Sequence, residues 1–152
     1  LLAVLQERGR LDEETALQIV VDVAGALEAL HQKGLVHRDV KPGNILWSEA
    51  RGAVLIDLGF AVVGATAGGS DTTAGTVHYI APEQASGEAL DVRADIYALG
   101  ATLYHLVTGS LPFEGRTSEE VLAKQVLESL SGERIRALDL SPQLHYFVEK
   151  MM

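Results

Sequence analysis

The chain has 152 residues, 47% of them hydrophobic and 22% charged, which is enough apolar material for one folded domain with a sizeable core and too much for a disordered tail. Its net charge of −9 excludes a broad basic footprint for nucleic acid, so any phosphate-binding site has to be a local positive spot, with Arg38 and Lys41 as candidates. The absence of cysteine excludes disulfides and cysteine-based zinc sites, and the longest apolar run, residues 96–107, is too short to span a bilayer and carries His105.

In chain order, residues 1–6 read as the end of a helix closed by a turn at Arg8, Gly9 and Arg10. A second helix is expected from Asp12, an N-cap. Glu13 and Glu14 suit the positive end of its dipole, and Ala16, Ile19, Val20, Val23, Leu27 and Leu30 recur at helical spacing. Gly34 is expected as its left-handed cap, and His31 as a packing or surface residue. Leu35 and Val36, residues 45–47 and residues 54–56 read as three short strands.

Between the first two strands runs His37-Arg38-Asp39-Val40-Lys41-Pro42-Gly43-Asn44-Ile45-Leu46, with a carboxylate, an ammonium and an amide inside six residues. A Mg²⁺-nucleotide would use all three. Asp39 can accept a proton from, or orient, an attacking hydroxyl; Lys41 can neutralise a transferring phosphoryl; Asn44 can offer a metal a neutral oxygen. The third strand delivers Asp57-Leu58-Gly59, a carboxylate leaving a rigid element beside a flexible residue, which suits a metal ligand. Residues 60–75, rich in Gly, Ala, Ser and Thr, are expected to be mobile. Gly75-Thr76-Val77-His78-Tyr79-Ile80-Ala81-Pro82-Glu83 follows. Residues 92–108 read as a helix apolar nearly all round and therefore central, in which Asp95 needs partners. Gly109 closes it, and Leu111, Pro112 and Phe113 form a packed turn. Ser118 opens another helix with Val121, Leu122 and Val126 inward. Ser141-Pro142 opens the last, with Leu144, Phe147, Val148 and Met151 inward.

Residues 37–46 resemble the catalytic loop of eukaryotic-type (Hanks-type) serine/threonine protein kinases, and three further matches follow in the family's order. These are Asp57-Leu58-Gly59 for the family's Asp-Phe-Gly, residues 75–83 for the end of the activation segment, and Asp95-Ile96-Tyr97-Ala98-Leu99-Gly100 in the central helix. The resemblance implies a mainly α fold, the large C-terminal kinase lobe of a bacterial kind of enzyme, with a few short strands around the catalytic loop. It implies ATP and Mg²⁺, with Mn²⁺ as an alternative, and a protein substrate. Asp39 is then the catalytic base and Lys41 the phosphoryl-binding cation. Asn44 and Asp57 hold the metal, Leu46 lies beneath the adenine, and Thr76 bonds Asp39 and Lys41 and helps seat the substrate hydroxyl. His37 and Leu58 are structural, with Leu58 keeping an apolar plug without the family's ring. Glu83 is a buried structural carboxylate whose family partner, an arginine, lies beyond residue 152. Asp95 caps the backbone of the catalytic loop. Arg38 pairs with a phosphorylated residue of the activation loop, for which Thr72, Thr73 and Ser70 are the acceptors. Lys41 two residues after Asp39 favours serine/threonine over tyrosine.

By the same resemblance residues 1–152 form a partial kinase domain, without the small N-terminal lobe and the last C-terminal helical region. Neither the glycine-rich phosphate loop nor the small-lobe lysine and its glutamate partner is found here, so that lobe is an expected partner. The implied location is cytoplasmic, in a parent protein that can be membrane-anchored elsewhere. Two functional classes stand open: the catalytic half of an active kinase, and a non-catalytic, pseudokinase-like interaction module. Retention of Asp39, Lys41, Asn44 and Asp57 together favours the first. A polypeptide of these residues alone is expected to bind Mg²⁺-ATP weakly, to lack measurable activity, and to associate through an apolar floor around Leu46, Leu58 and Trp47.

Overall fold

The computed structural model describes residues 1–59, 61–63 and 77–152. Helices α1 (Leu2–Arg8) and α2 (Glu13–His31) come first, followed by strand β1 (Leu35–Val36), a single 3₁₀ turn (Pro42–Asn44), and strands β2 (Ile45–Ser48), β3 (Gly52–Leu55) and β4 (Val62–Val63). After a second 3₁₀ turn (Val77–Tyr79) come α3 (Pro82–Ala85), α4 (Val92–Thr108), α5 (Ser118–Leu127), α6 (Glu133–Arg136) and α7 (Pro142–Met151). The expected mainly helical lobe with a few short strands is the fold observed. Among the described residues no helix is long and apolar enough to cross a membrane.

Helix α4 is the axis. Ala98, Leu99, Leu103, Tyr104, Leu106 and Val107 are buried against Ile19, Val23 and Leu27 of α2 and Leu144 and Val148 of α7. Asp91 caps its first turn through the Arg93 N–H, and Gly109 ends it in the left-handed conformation at φ 70°. Asp12 caps α2 as expected, accepting from the Thr15 N–H at 2.9 Å. Gly34 is left-handed at φ 72° but lies beyond the cap. Helix α2 ends at His31, and Gly34 closes the following turn through a 2.9 Å bond from its N–H to the His31 carbonyl.

Two antiparallel ribbons flank the catalytic-loop sequence. β2 pairs with β3, Ile45 opposite Leu55 and Leu46 opposite Val54. β1 pairs with β4, Leu35 opposite Val63. Strand β4 lies in the stretch expected to be mobile, where two consecutive valines suit an extended ladder; residue 60 and residues 64–75 lie outside the described residues. The hairpin is tied to α2 by Asp22, whose Oδ2 accepts the Ala53 N–H at 2.8 Å. Gly52, at φ 72°, makes this approach possible, since a Cβ there would lie 2.6 Å from the same oxygen.

Pleating corrects the expected apolar floor. Ile45 and Trp47 turn inward to the core, whereas Leu46 (58% exposed) and Val54 (54%) share the outer face of the hairpin, and Leu58 (54%) is exposed just beyond it. Trp47 therefore belongs to the other face. Two helix faces also differ from expectation. In α5 the residue that turns inward with Val121 is Gln125, buried because its side-chain N–H donates to the Val77 carbonyl at 2.8 Å, while Val126 is exposed. In α7 Phe147 is exposed and stacks edge-on with Tyr146, leaving Leu144 and Val148, one turn apart, as the buried stripe.

Candidate active site

Tight local geometry gathers Asp39, Lys41 and Asn44. Lys41 is extended and Pro42 starts the 3₁₀ turn, closed by the Asn44 N–H on the Lys41 carbonyl at 2.9 Å. That turn folds Asn44 back onto Asp39. The Asn44 side-chain N–H₂ donates to the Asp39 main-chain carbonyl at 2.8 Å and to its Oδ2 at 2.7 Å. Lys41 Nζ lies 2.8 Å from the same Oδ2. Val40 and Ile45, both buried, anchor the loop in the core on either side of this cluster.

The Asp39 carboxylate is thus divided in function. Its Oδ2 carries an ammonium and an amide donor, while its Oδ1 is buried without a hydrogen-bond partner among the described residues, in a side chain only 5% exposed. A buried carboxylate oxygen held ready without a donor is costly in a merely structural loop and is suited to meeting a hydroxyl. With both Asn44 amide hydrogens engaged by Asp39, its carbonyl oxygen is left for another ligand.

Asp57 is brought beside this cluster by the backbone. The Ile56 N–H donates to the Asn44 carbonyl at 2.9 Å, continuing the β2–β3 ladder by one bond, and Asp57 follows directly. Its carboxylate is exposed, with Oδ1 accepting the Gly59 N–H at 3.0 Å. Among the described residues, Arg38 (φ 71°) and Asp57 (φ 68°) are the non-glycine residues with left-handed backbones, and both lie at this site. Such conformations persist where the surroundings over-determine them. Also among the described residues, no three His, Cys, Asp or Glu side chains converge as a metal cluster. The donor set fits Mg²⁺, which takes one or two protein oxygens and leaves its other positions to water and phosphate.

Below the loop, Asp95 is fully buried and accepts the His37 N–H on Oδ2 at 2.9 Å and the Arg38 N–H on Oδ1 at 2.8 Å, the backbone cap expected of it. His37 is fully buried, its Nδ1 accepting the Asp39 N–H at 3.3 Å. Val77 and Ile80 pack with Phe113 and Val121, Ala81 packs with Ala94 and Tyr97 of α4, and Gln84 of α3 reaches the loop, its amide N–H meeting the Arg38 carbonyl at 3.4 Å. Glu83 is half-buried instead of buried, because it sits in the first turn of a four-residue helix. Burial and then the Glu83 charge push the Tyr97 phenol up from its ordinary range. Tyr79 meets His105 Nδ1 at 2.6 Å; burial first, and His78 second, hold the His105 imidazole below its ordinary range. Ser70, Thr72, Thr73 and Thr76 lie outside the described residues. The sequence reading missed His31, whose Nε2–H donates to Asp95 Oδ2 at 2.8 Å. The available signal was the demand of a buried Asp95 for partners.

The model of the protein kinase domain matches residues 1–152. The chain belongs to the protein kinase family. It is similar to serine/threonine-protein kinase PknB of Mycolicibacterium smegmatis, 38% identical over 148 residues, 95% of this chain and 24% of the relative. It is 35% identical to PknB of Mycobacterium tuberculosis over an alignment of 153 residues, 98% of this chain and 24% of that protein. A Clostridium perfringens relative named as the probable serine/threonine-protein kinase CPE1738 is 41% identical over 127 residues, 82% of this chain and 18% of its own length. These relatives are bacterial proteins named as serine/threonine-protein kinases, and the chain spans about a quarter or less of their length.

Proposed function

We propose that the protein containing this kinase lobe transfers the γ-phosphoryl group of ATP to serine or threonine hydroxyls of a protein substrate. The observation that carries this reading is the Asp39 carboxylate, with Oδ2 held by Lys41 and Asn44 and Oδ1 buried and, among the described residues, unpartnered. Oδ1 would orient the substrate hydroxyl and take its proton. Lys41, already 2.8 Å from Asp39, would set a positive charge beside the oxygen through which the phosphoryl moves. Asn44 and Asp57 would hold Mg²⁺, which when bound neutralises charge on the phosphates. Leu46, on the exposed face of the hairpin, would form the floor for the adenine. ATP as donor fits a cytoplasmic site for this domain, whatever anchor the rest of the protein carries. The test is full-length protein with γ-labelled ATP and a mixed protein substrate. Label is expected on serine and threonine; a wild-type protein that labels nothing overturns the reading in favour of an interaction module.

Regulation by the activation loop is part of the proposal. Arg38 has a buried Nε without a hydrogen-bond partner among the described residues, next to a backbone held by Asp95. A phosphate brings close to two negative charges and can order a segment against an arginine. Mass spectrometry of the active full-length protein is expected to find phosphate on Thr72, Thr73 or Ser70. Full activity after all three are changed to Ala would refute it.

A further inference from the structure

We infer that Asp22 is a positioning residue for the nucleotide site, holding from α2 the hairpin whose outer face carries Leu46; the inference rests on the phosphoryl-transfer reading above. A two-stranded hairpin of four residues a side is marginal alone, so its angle to the domain has to be set from outside. The ladder shows where it can be gripped. Asn44 and Ile56 share a bond, and by alternation the next bonded pair is Leu46 with Val54, which leaves Ala53, opposite Trp47, with its N–H turned away from β2. That outward N–H meets Asp22 Oδ2 at 2.8 Å, so a helix carboxylate does what a third strand would do. Gln18, one turn earlier in α2, donates to Asp22 Oδ1 at 3.0 Å and fixes the rotation of the carboxylate.

The other ties on the hairpin are weaker or act elsewhere. Arg8 of α1 pairs with Glu49 at 3.2 Å, but the two side chains are 51% and 75% exposed and solvent screens them. Packing of Trp47 against the core is non-directional and sets the depth of the hairpin, not its tilt. At the base, Ile45 is buried and Asn44 is bound to Asp39. Released from α2, the hairpin would therefore pivot at Ile45 and swing at Ala53. Leu46 and Val54 lie between these points on the outer face, so the floor for the adenine would tilt with it. Asp39, Lys41 and Asn44 would keep their bonds to one another, and Asp57, next to Ile56 at the base, would move little. The defect then falls on ATP affinity and not on the step in which Asp39 takes a proton, which is a change in KM and not in kcat.

The experiment compares wild type, Asp22→Leu and Asp22→Asn in the full-length protein. Leu fills a similar volume without an acceptor, whereas Asn keeps an oxygen for the Ala53 N–H and Gln18 can turn its own amide oxygen toward the new N–H₂. Asp22→Leu is expected to raise both the KM for ATP and the dissociation constant of Mg²⁺-ATP measured by calorimetry about tenfold, with kcat and the KM for peptide within about twofold. Asp22→Asn should regain most of the ATP affinity. Hydrogen exchange supplies a readout that does not depend on activity: the Ala53 amide should exchange about tenfold faster in Asp22→Leu, while core amides of α4 keep their protection. A merely structural role would lower the melting temperature and leave ATP affinity where it was. That result, unchanged exchange at Ala53, or an Asn variant no better than Leu overturns the inference. A wild-type protein that binds Mg²⁺-ATP but transfers no phosphate would sink the function proposed above, and calorimetry with exchange would still decide the role of Asp22. One that binds no ATP overturns both.

Discussion

Changing Asp39 to Asn in the full-length protein is expected to lower kcat by about 10²- to 10⁴-fold, the range over which a positioned general base contributes. Asn is close in shape, and its side-chain oxygen can still accept from Asn44 and Lys41, so the loop should fold and ATP should bind near wild-type affinity. Lost are the charge that pairs with Lys41 at 2.8 Å and the capacity to take a proton. Steady-state kinetics with ATP and peptide varied separately will check this, and a variant within threefold of wild type would count against Asp39 as the base. Thermal melting separates the two causes of a loss. An unchanged transition places it in the chemistry; a transition lowered by many degrees places it in the loop's architecture.

Much of this site could be read from sequence because its chemistry is local. Asp39, Lys41 and Asn44 lie within six residues, and a proline-initiated turn leaves them few ways to be apart. Helix α4 was equally legible, since a long apolar run with one acid and a closing glycine has few other solutions. Less legible were features fixed by distant partners. His31 reads as an ordinary helix-terminal residue until α4 brings Asp95 against it. Gln125 reads as a surface residue until the Val77 carbonyl appears beside it, and its burial rotates Val126 outward. The left-handed backbone at Arg38 leaves no composition signal, since arginine does not favour that region, and the one at Asp57 leaves only a weak one, since Asp visits it more often than most residues but seldom.

That last feature shapes the second large effect. Asp57→Asn in the full-length protein is expected to cost about 10²- to 10³-fold in phosphoryl transfer, comparable to losing other groups that stabilise charge in a transition state. Asn is the replacement that isolates the charge. It tolerates φ near 68° as well as Asp or better, and its side-chain oxygen can still accept the Gly59 N–H. Asp57→Ala would remove the local bond and strain the turn as well, mixing folding with metal binding. The Asn variant should therefore melt within about 2 °C of wild type, because it removes no buried contact. Its dependence on free Mg²⁺ should move to higher concentration, since a neutral amide holds a hard dication less firmly than a carboxylate. Titrating Mg²⁺ at fixed ATP measures that shift directly. Wild-type turnover with an unshifted Mg²⁺ requirement would remove Asp57 from the metal site. The exposed carboxylate would then serve only its turn, and Asn44 would need a different companion ligand.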